Sequence, residues 1–274
     1  MANKKKNEEV VEEANYGKTM LACILILIIL VVGYLGYKKI YDKEVSKDDE
    51  KVEVKLTDDE KQFKKDFESL NGTSLSDGEN LKKVSIIEDN NVEYISLKRA
   101  TEIIKGESGV IYFAYPTDNM SRIAIPVFLK AMESTNLEKV YYVKVRENAS
   151  EETDFRDFYS IEKKKAKRSK EGKDEYYTLL DLLDSNLSNY NLVNNDGKVI
   201  NTGEKRLQVP TVVAVLNGKV VGFVEGTVDK HELDSNGVLR DLTNKEIEEL
   251  TTKYVELITN YLNDDCDIEK KEDC

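Results

Sequence analysis

Histidine is almost missing from this chain: His231 is the only one in 274 residues. It has no Ser or Cys motif partner, so a nucleophile-histidine mechanism has nothing to rest on. Positive charge is in deficit too. Lys and Arg number 41 against 53 Asp and Glu, for a net charge of −12. Duplex binding depends on basic side chains neutralising phosphates, so this balance argues against nucleic acid as a partner. The local exception, Lys163 to Lys170, reads as a solvated face or a hairpin. No Gly-rich phosphate loop occurs. Of the three cysteines, Cys266 and Cys274 stand near each other, but no third or fourth ligand with suitable spacing accompanies them, which argues against a metal site.

What the chain does have is a long run without charge. Thr19 to Tyr37, TMLACILILIILVVGYLGY, holds 19 uncharged residues, and a helix of that length spans roughly 28 Å, close to the bilayer core. The run predicts a transmembrane helix over 19–37 behind a cytoplasmic tail, 1–18, with Tyr34 and Tyr37 near one interface. No small-x-small site follows the run, which argues against a cleaved signal peptide. Cys23 lies near the beginning of the run, whereas a lipoprotein cysteine should close it. Lys4, Lys5, Lys6 and Lys18 are matched by Lys38, Lys39, Lys43 and Lys47, so charge does not set the orientation.

Residues 38–80 are charged and read as a spacer. Leu56, Phe63, Phe67 and Leu70 have the spacing of a short amphipathic helix, with a disordered tether as the alternative. The folded domain is expected over 81–265. VEYIS is a short strand, and Ser96 caps a helix running through Ile104 to Gly106. GVIYFAY, 109–115, is apolar without alternation, as suits a central strand covered on both faces. RIAIPVFLKAME predicts a helix kinked at Pro126. KVYYVKV predicts a second buried strand, and the helical crossover between the two requires parallel pairing. Residues 150–175 fit a hairpin, or a helix with loops. DEYYTLLDLLDSNL predicts a core-facing helix with Tyr176, Leu179, Leu180, Leu183 and Leu187 inward. VPTVVAVLNGKVVGFVEG is a hairpin turning at Asn217-Gly218, where both positions need positive φ. A last helix starts at Thr243 with a Thr243/Glu246 capping box. It carries Ile247, Leu250, Tyr254, Leu257, Ile258 and Leu262 at helical spacing and should pack on the sheet. The class is α/β.

In order, then, the elements are a β-α-β unit, an insertion, a hairpin preceded by Val-Pro, and a terminal helix. That order resembles the thioredoxin fold, a three-layer α/β/α sandwich. The three prolines fit the resemblance: Pro116 precedes the active-site tetrapeptide, Pro126 lies in the helix after it, and Pro210 takes the place of the family's cis-proline. More closely, the chain resembles membrane-anchored thioredoxin-like proteins of Gram-positive bacteria described as bacteriocin-transport accessory proteins. The matching stretches are VEYISLKRATEIIKGESGVIYFAYPT, LEKVYYVKV, DGKVINTGEKRLQVPTVVAVLNGKVVGFVEGTV and the C-terminal helix, covering about residues 55 to 266. Such proteins usually carry Cys-x-x-Cys after Pro-Thr. This chain has Asp118-Asn119-Met120-Ser121 there, with Asp118 and Ser121 at the cysteine positions.

The departure is chemical. Disulfide exchange needs a thiolate to attack and a second thiol to resolve, and neither Asp118 nor Ser121 supplies one. Asp118 does keep a negative charge at a helix N-terminus, which is worth roughly 0.3–1 kcal/mol. Cys266 and Cys274 would close a nine-residue loop, worth about 2.5 kcal/mol in the chain-entropy model. Asp264, Asp265 and Asp267 disfavour a thiolate there, so a structural disulfide in a 266–274 tail is the reading, against a catalytic pair. Such a bond implies an oxidising compartment, hence an extracellular domain. The expected function is a membrane-tethered module, without catalytic residue or cofactor, that holds an extended peptide or protein partner at the cell envelope through Tyr115, Pro116, Asp118, Ser121, Val209 and Pro210. The alternative is a thiol-disulfide oxidoreductase using Cys266 and Cys274 or a partner's thiols. A purely structural envelope protein is the third class.

Overall fold

The computed structural model describes residues 56–75, 78, 80–228 and 239–269, with side chains given as far as residue 263. The predicted transmembrane run 19–37, His231 and Cys274 lie outside the described residues. Among the described residues no helix is long and apolar enough to cross a membrane.

Five α-helices and nine strands are found among the described residues. Helix α1, Asp58–Glu68, opens on the Thr57/Glu60 capping box, in which Glu60 N–H donates to Thr57 Oγ1 at 3.2 Å. Strand β1 is Val92–Tyr94 and helix α2 is Leu97–Gly106, capped by Ser96 Oγ accepting from Arg99 N–H at 3.1 Å. Strand β2, Gly109–Ala114, is buried at every position, as its unbroken apolar run requires. Helix α3, Asn119–Thr135, continues through Pro126, where a kink was expected. Strand β3 is Val140–Lys144, parallel to both β1 and β2.

The polar 150–175 region is a hairpin of β4, Phe158–Glu162, and β5, Lys165–Lys170. Lys163 and Lys164 form its turn, both at positive φ. Helix α4, Asp174–Leu183, buries Tyr176, Leu179 and Leu183. A second hairpin, β6 Asn189–Val193 with β7 Val199–Lys205, follows it. The hairpin of β8, Thr211–Leu216, and β9, Lys219–Glu225, turns at Asn217 and Gly218 with φ of 49° and 76°. Gly218 is required twice over: besides the positive φ, a Cβ there would sit 2.6 Å from the Lys105 carbonyl oxygen. Helix α5, Asn244–Glu269, starts as predicted, with Thr243 N–H donating to Glu246 Oε2 at 2.8 Å. Leu250, Tyr254, Leu257 and Ile258 are buried, but Ile247 is exposed instead of packed.

The main sheet runs β1-β3-β2-β8-β9, with β8 antiparallel to β2 and β9 antiparallel to β8. Side chains alternate across it. Val110, Tyr112 and Ala114 join one apolar cluster, with α1, α3 and α5; Ile111, Phe113 and Tyr115 join the other, with α2 and α4. Helices therefore cover both faces of a mixed sheet, as an α/β sandwich requires.

One boundary moves. Phe63 and Phe67 of α1 are fully buried and pack on Tyr142 of β3, with ring centroids 4.9 and 6.3 Å away. The segment expected to be a spacer up to residue 80 thus contributes to the core from α1 onward. The folded unit begins at Leu56. The sequence spacing was right; the partner surface that makes it core is β3, some 75 residues away.

Candidate functional site

Strand β2 ends in a turn, Tyr115 to Asp118, closed by Asp118 N–H donating to Tyr115 O at 3.2 Å. Asp118 is the N-cap of α3. Its Oδ2 accepts from Ser121 N–H at 2.6 Å and from Ser121 Oγ–H at 2.7 Å. The two residues at the cysteine positions of the resemblance are therefore bonded to each other. Burial pushes the Asp118 carboxyl above its ordinary range, against the opposing pull of the Ser121 bonds, Arg156 and Arg146. Ser121 is fully buried and its hydroxyl is committed to Asp118. That leaves no room for Ser121 as an exposed nucleophile.

Pro210 is brought to the same end of the sheet. The β2–β8 register pairs Phe113 with Thr211, so Val209–Pro210 lies beside the turn that begins at Tyr115. The Val209–Pro210 peptide bond is cis. Pro210 O accepts from Gly226 N–H at 2.7 Å. Val209 is half-buried, and no hydrogen bond to its main chain is found among the described residues. Tyr115, Pro116, Asp118, Ser121, Val209 and Pro210 thus share one edge of the fold. Cys266 falls in the last turns of α5, with its side chain beyond those described, so the predicted disulfide with Cys274 lies outside the described residues.

Four residues that matter at this edge were not picked out from sequence. Arg122 is fully buried and faces only neutral oxygens: Nη1 donates to Phe67 O and Pro116 O, both at 2.9 Å, Nη2 to Asn71 Oδ1 at 2.6 Å, and Nε to Lys82 O at 2.5 Å. Burial without a carboxylate partner pulls its pKa down to about 10. Asn119 Oδ1 accepts from Lys82 N–H at 2.7 Å, holding the same 80–82 segment. A lone arginine in the apolar stretch RIAIPVFL was the available signal for the first; Asn119 gave none.

The other two are Arg146 and Arg156, which lie 4.8 and 5.8 Å from the Tyr115 ring. Both are bound to buried Asp154, Arg146 through Nε at 3.1 Å and Arg156 through Nε and Nη2 at 3.0 and 2.8 Å. Burial works against ionised Asp154, but the Arg156 fork and Arg146 outweigh it and lower its pKa. These residues flank the insertion after β3, whose tertiary pairing the sequence does not reveal. No group of three or more His, Cys, Asp or Glu side chains suited to a metal ion is found among the described residues.

No family model, curated protein or solved structure matches the chain.

Proposed function

We propose that this chain is a membrane-tethered, extracytoplasmic thioredoxin-like module, redox-inactive at Asp118 and Ser121, that holds an extended peptide or partner-protein segment at the cell envelope. The strand order β1-β3-β2-β8-β9, with helices on both faces and the tetrapeptide at the start of α3, supports the thioredoxin-like part of the reading. The apolar run 19–37 supports the tether.

The observation that carries the binding role is Val209. Its main chain stands in the loop before β8, at the end of the sheet beside Tyr115 and Pro116, with no hydrogen bond among the described residues. A free N–H and C=O in extended chain accept a further strand, and that mode of recognition needs no thiol. Asp118 and Ser121, bonded to each other, close the place where exchange chemistry would run. The test is an amide-resolved titration of the full chain in detergent micelles with a library of extended peptides. Shifts should gather at Tyr115, Val209 and Pro210's neighbours; binding confined to another face would sink the idea.

A further inference from the structure

The Tyr115–Asp118 turn has two sides, because β2 pairs with β8 on one and with β3 on the other. Val209 lies on the β8 side. On the β3 side, Pro116 and Thr117 form a wall of a cavity of about 410 Å³. Its apolar lining is Leu70, Leu75, Leu81, Pro116 and Ala149. Its charged lining is Asp66, Lys144, Arg146 and Glu147.

Three of those four charges are one cation shared between two carboxylates. Lys144 Nζ is 2.8 Å from Asp66 and 3.5 Å from Glu147. Arg146 is different. Its guanidinium lies over the rings of Tyr115 and Phe158, at 4.8 and 5.6 Å. Its Nε donates to Asp154, its Nη1 reaches Ala149 O at 3.4 Å, and its Nη2 makes no hydrogen bond among the described residues. Stacking fixes the plane of the fork, which is how an arginine is prepared for a planar anion.

Behind it, Arg146 shares its carboxylate with another cation. Arg156 already occupies Asp154 with two bonds, so two guanidiniums share one carboxylate. Lys170 and Arg206 add two more cations over the Phe158 ring, at 5.3 and 4.6 Å. Burial raises the pKa of a second carboxylate in this cluster, Asp157, while Glu152 and Glu151 act on Lys170 from nearby. The cavity lining itself balances, two cations against two carboxylates, and the further cations stand behind Arg146, around the Phe158 ring.

We propose that the cavity binds a carboxylate carried on a short aliphatic body, such as the free acid end of an apolar peptide residue, with Arg146 as its charge partner and Leu70, Leu75 and Leu81 around the aliphatic part. The site is separate from Val209 and does not rest on the peptide-holding reading.

The full chain in detergent micelles is titrated with N-acetyl-leucine and with N-acetyl-leucinamide, which differ in charge but hardly in shape, and amide and arginine Nε–H resonances are followed. The acid should shift Arg146 Nε–H and the Thr117 and Ala149 amides. It should bind about tenfold more tightly than the amide, as a charge-assisted bond over a neutral one implies. Arg146→Gln should abolish that preference while Leu75→Ala weakens both ligands. Equal binding of acid and amide overturns the proposal, as does an absence of shifts at the cavity. Shifts gathered at Val209 overturn it while leaving the peptide reading in place. Should Arg146→Gln fail to fold, the unmodified chain still decides: the acid's advantage must shrink as salt is raised, and an advantage insensitive to salt overturns the assignment.

Discussion

Replacing Arg122 by methionine tests whether a buried, unpaired cation holds the candidate site together. The side chain is fully buried and bonds three main-chain carbonyls, Phe67, Lys82 and Pro116, from three separate segments. Asn71 Oδ1 loses a donor as well but keeps Val84 N–H at 2.9 Å. Methionine has similar length and no donor, so three carbonyls are left short, those of Phe67 and Pro116 buried and that of Lys82 partly so. Bonds from a charged donor are worth about 1.5–3 kcal/mol each. Against the sum stands the relief of no longer burying a cation without a carboxylate, itself several kcal/mol. A net loss of about 3 kcal/mol is expected, because removing one partner of a buried polar network costs about 3–5 kcal/mol. For a folded unit of this size that lowers Tm by roughly 6–12 °C. The chain has no tryptophan, so far-UV circular dichroism is the readout, with hydrogen exchange at residues 67–71, 80–84 and 116–119 as the local one. A methionine variant as stable as its parent, or more so, refutes the reasoning: desolvation of the guanidinium would then outweigh its bonds.

Three further outcomes follow from the same geometry. Asp118→Asn keeps an N-cap of equal quality and removes a carboxyl whose folded pKa is raised by burial. A raised acid pKa means the fold binds the proton more tightly, so the parent loses stability as pH climbs from the unfolded carboxyl value, about 4, up to the folded one; the variant should gain on its parent over that rise, and paired urea titrations showing the reverse trend would count against the burial argument. Phe67→Ala should cost about 3–5 kcal/mol, since the ring is fully buried; a loss under about 1 kcal/mol would return α1 to the status of a spacer. Gly218→Ala combines a positive φ with a Cβ 2.6 Å from Lys105 O and should lose more than about 1 kcal/mol in thermal unfolding, whereas an unchanged Tm would mean the Lys105 backbone yields freely.

The readable parts of this sequence were those whose partners are local or whose burial is two-sided. Strand β2 declares itself because every position is apolar, and the Asn217-Gly218 turn because both residues need positive φ. The Thr243/Glu246 cap is likewise a contact three residues long. What failed was long-range. Phe63 and Phe67 have the same spacing whether they face water or Tyr142, and only the fold decides. The β6–β7 hairpin alternates exposed and half-buried positions, but it buries nothing fully and turns Val193 and Val199 outward, so the apolar signal that marks a strand in sequence is weak there. At the site, Asp118 and Ser121 were legible as positions but their bond to each other was not. Arg122, Arg146 and Arg156 acquire their meaning from carbonyls, rings and a carboxylate distant in sequence or hidden by the turn.

Arg122 also has a mechanical consequence. Helix α1 is fastened at its start, where Asp59 Oδ2 accepts from Tyr94 N–H at 2.9 Å, and at its end, where Arg122 grips Phe67 O and, through the same nitrogen, Pro116 O. Tension arriving through the residues before Leu56 therefore passes along α1 and into the very turn that carries Tyr115 and Asp118. A chain pulled from that end loads β1 first, at Tyr94, and reaches the Tyr115–Asp118 turn only through Arg122, so one guanidinium sets how much strain arrives there.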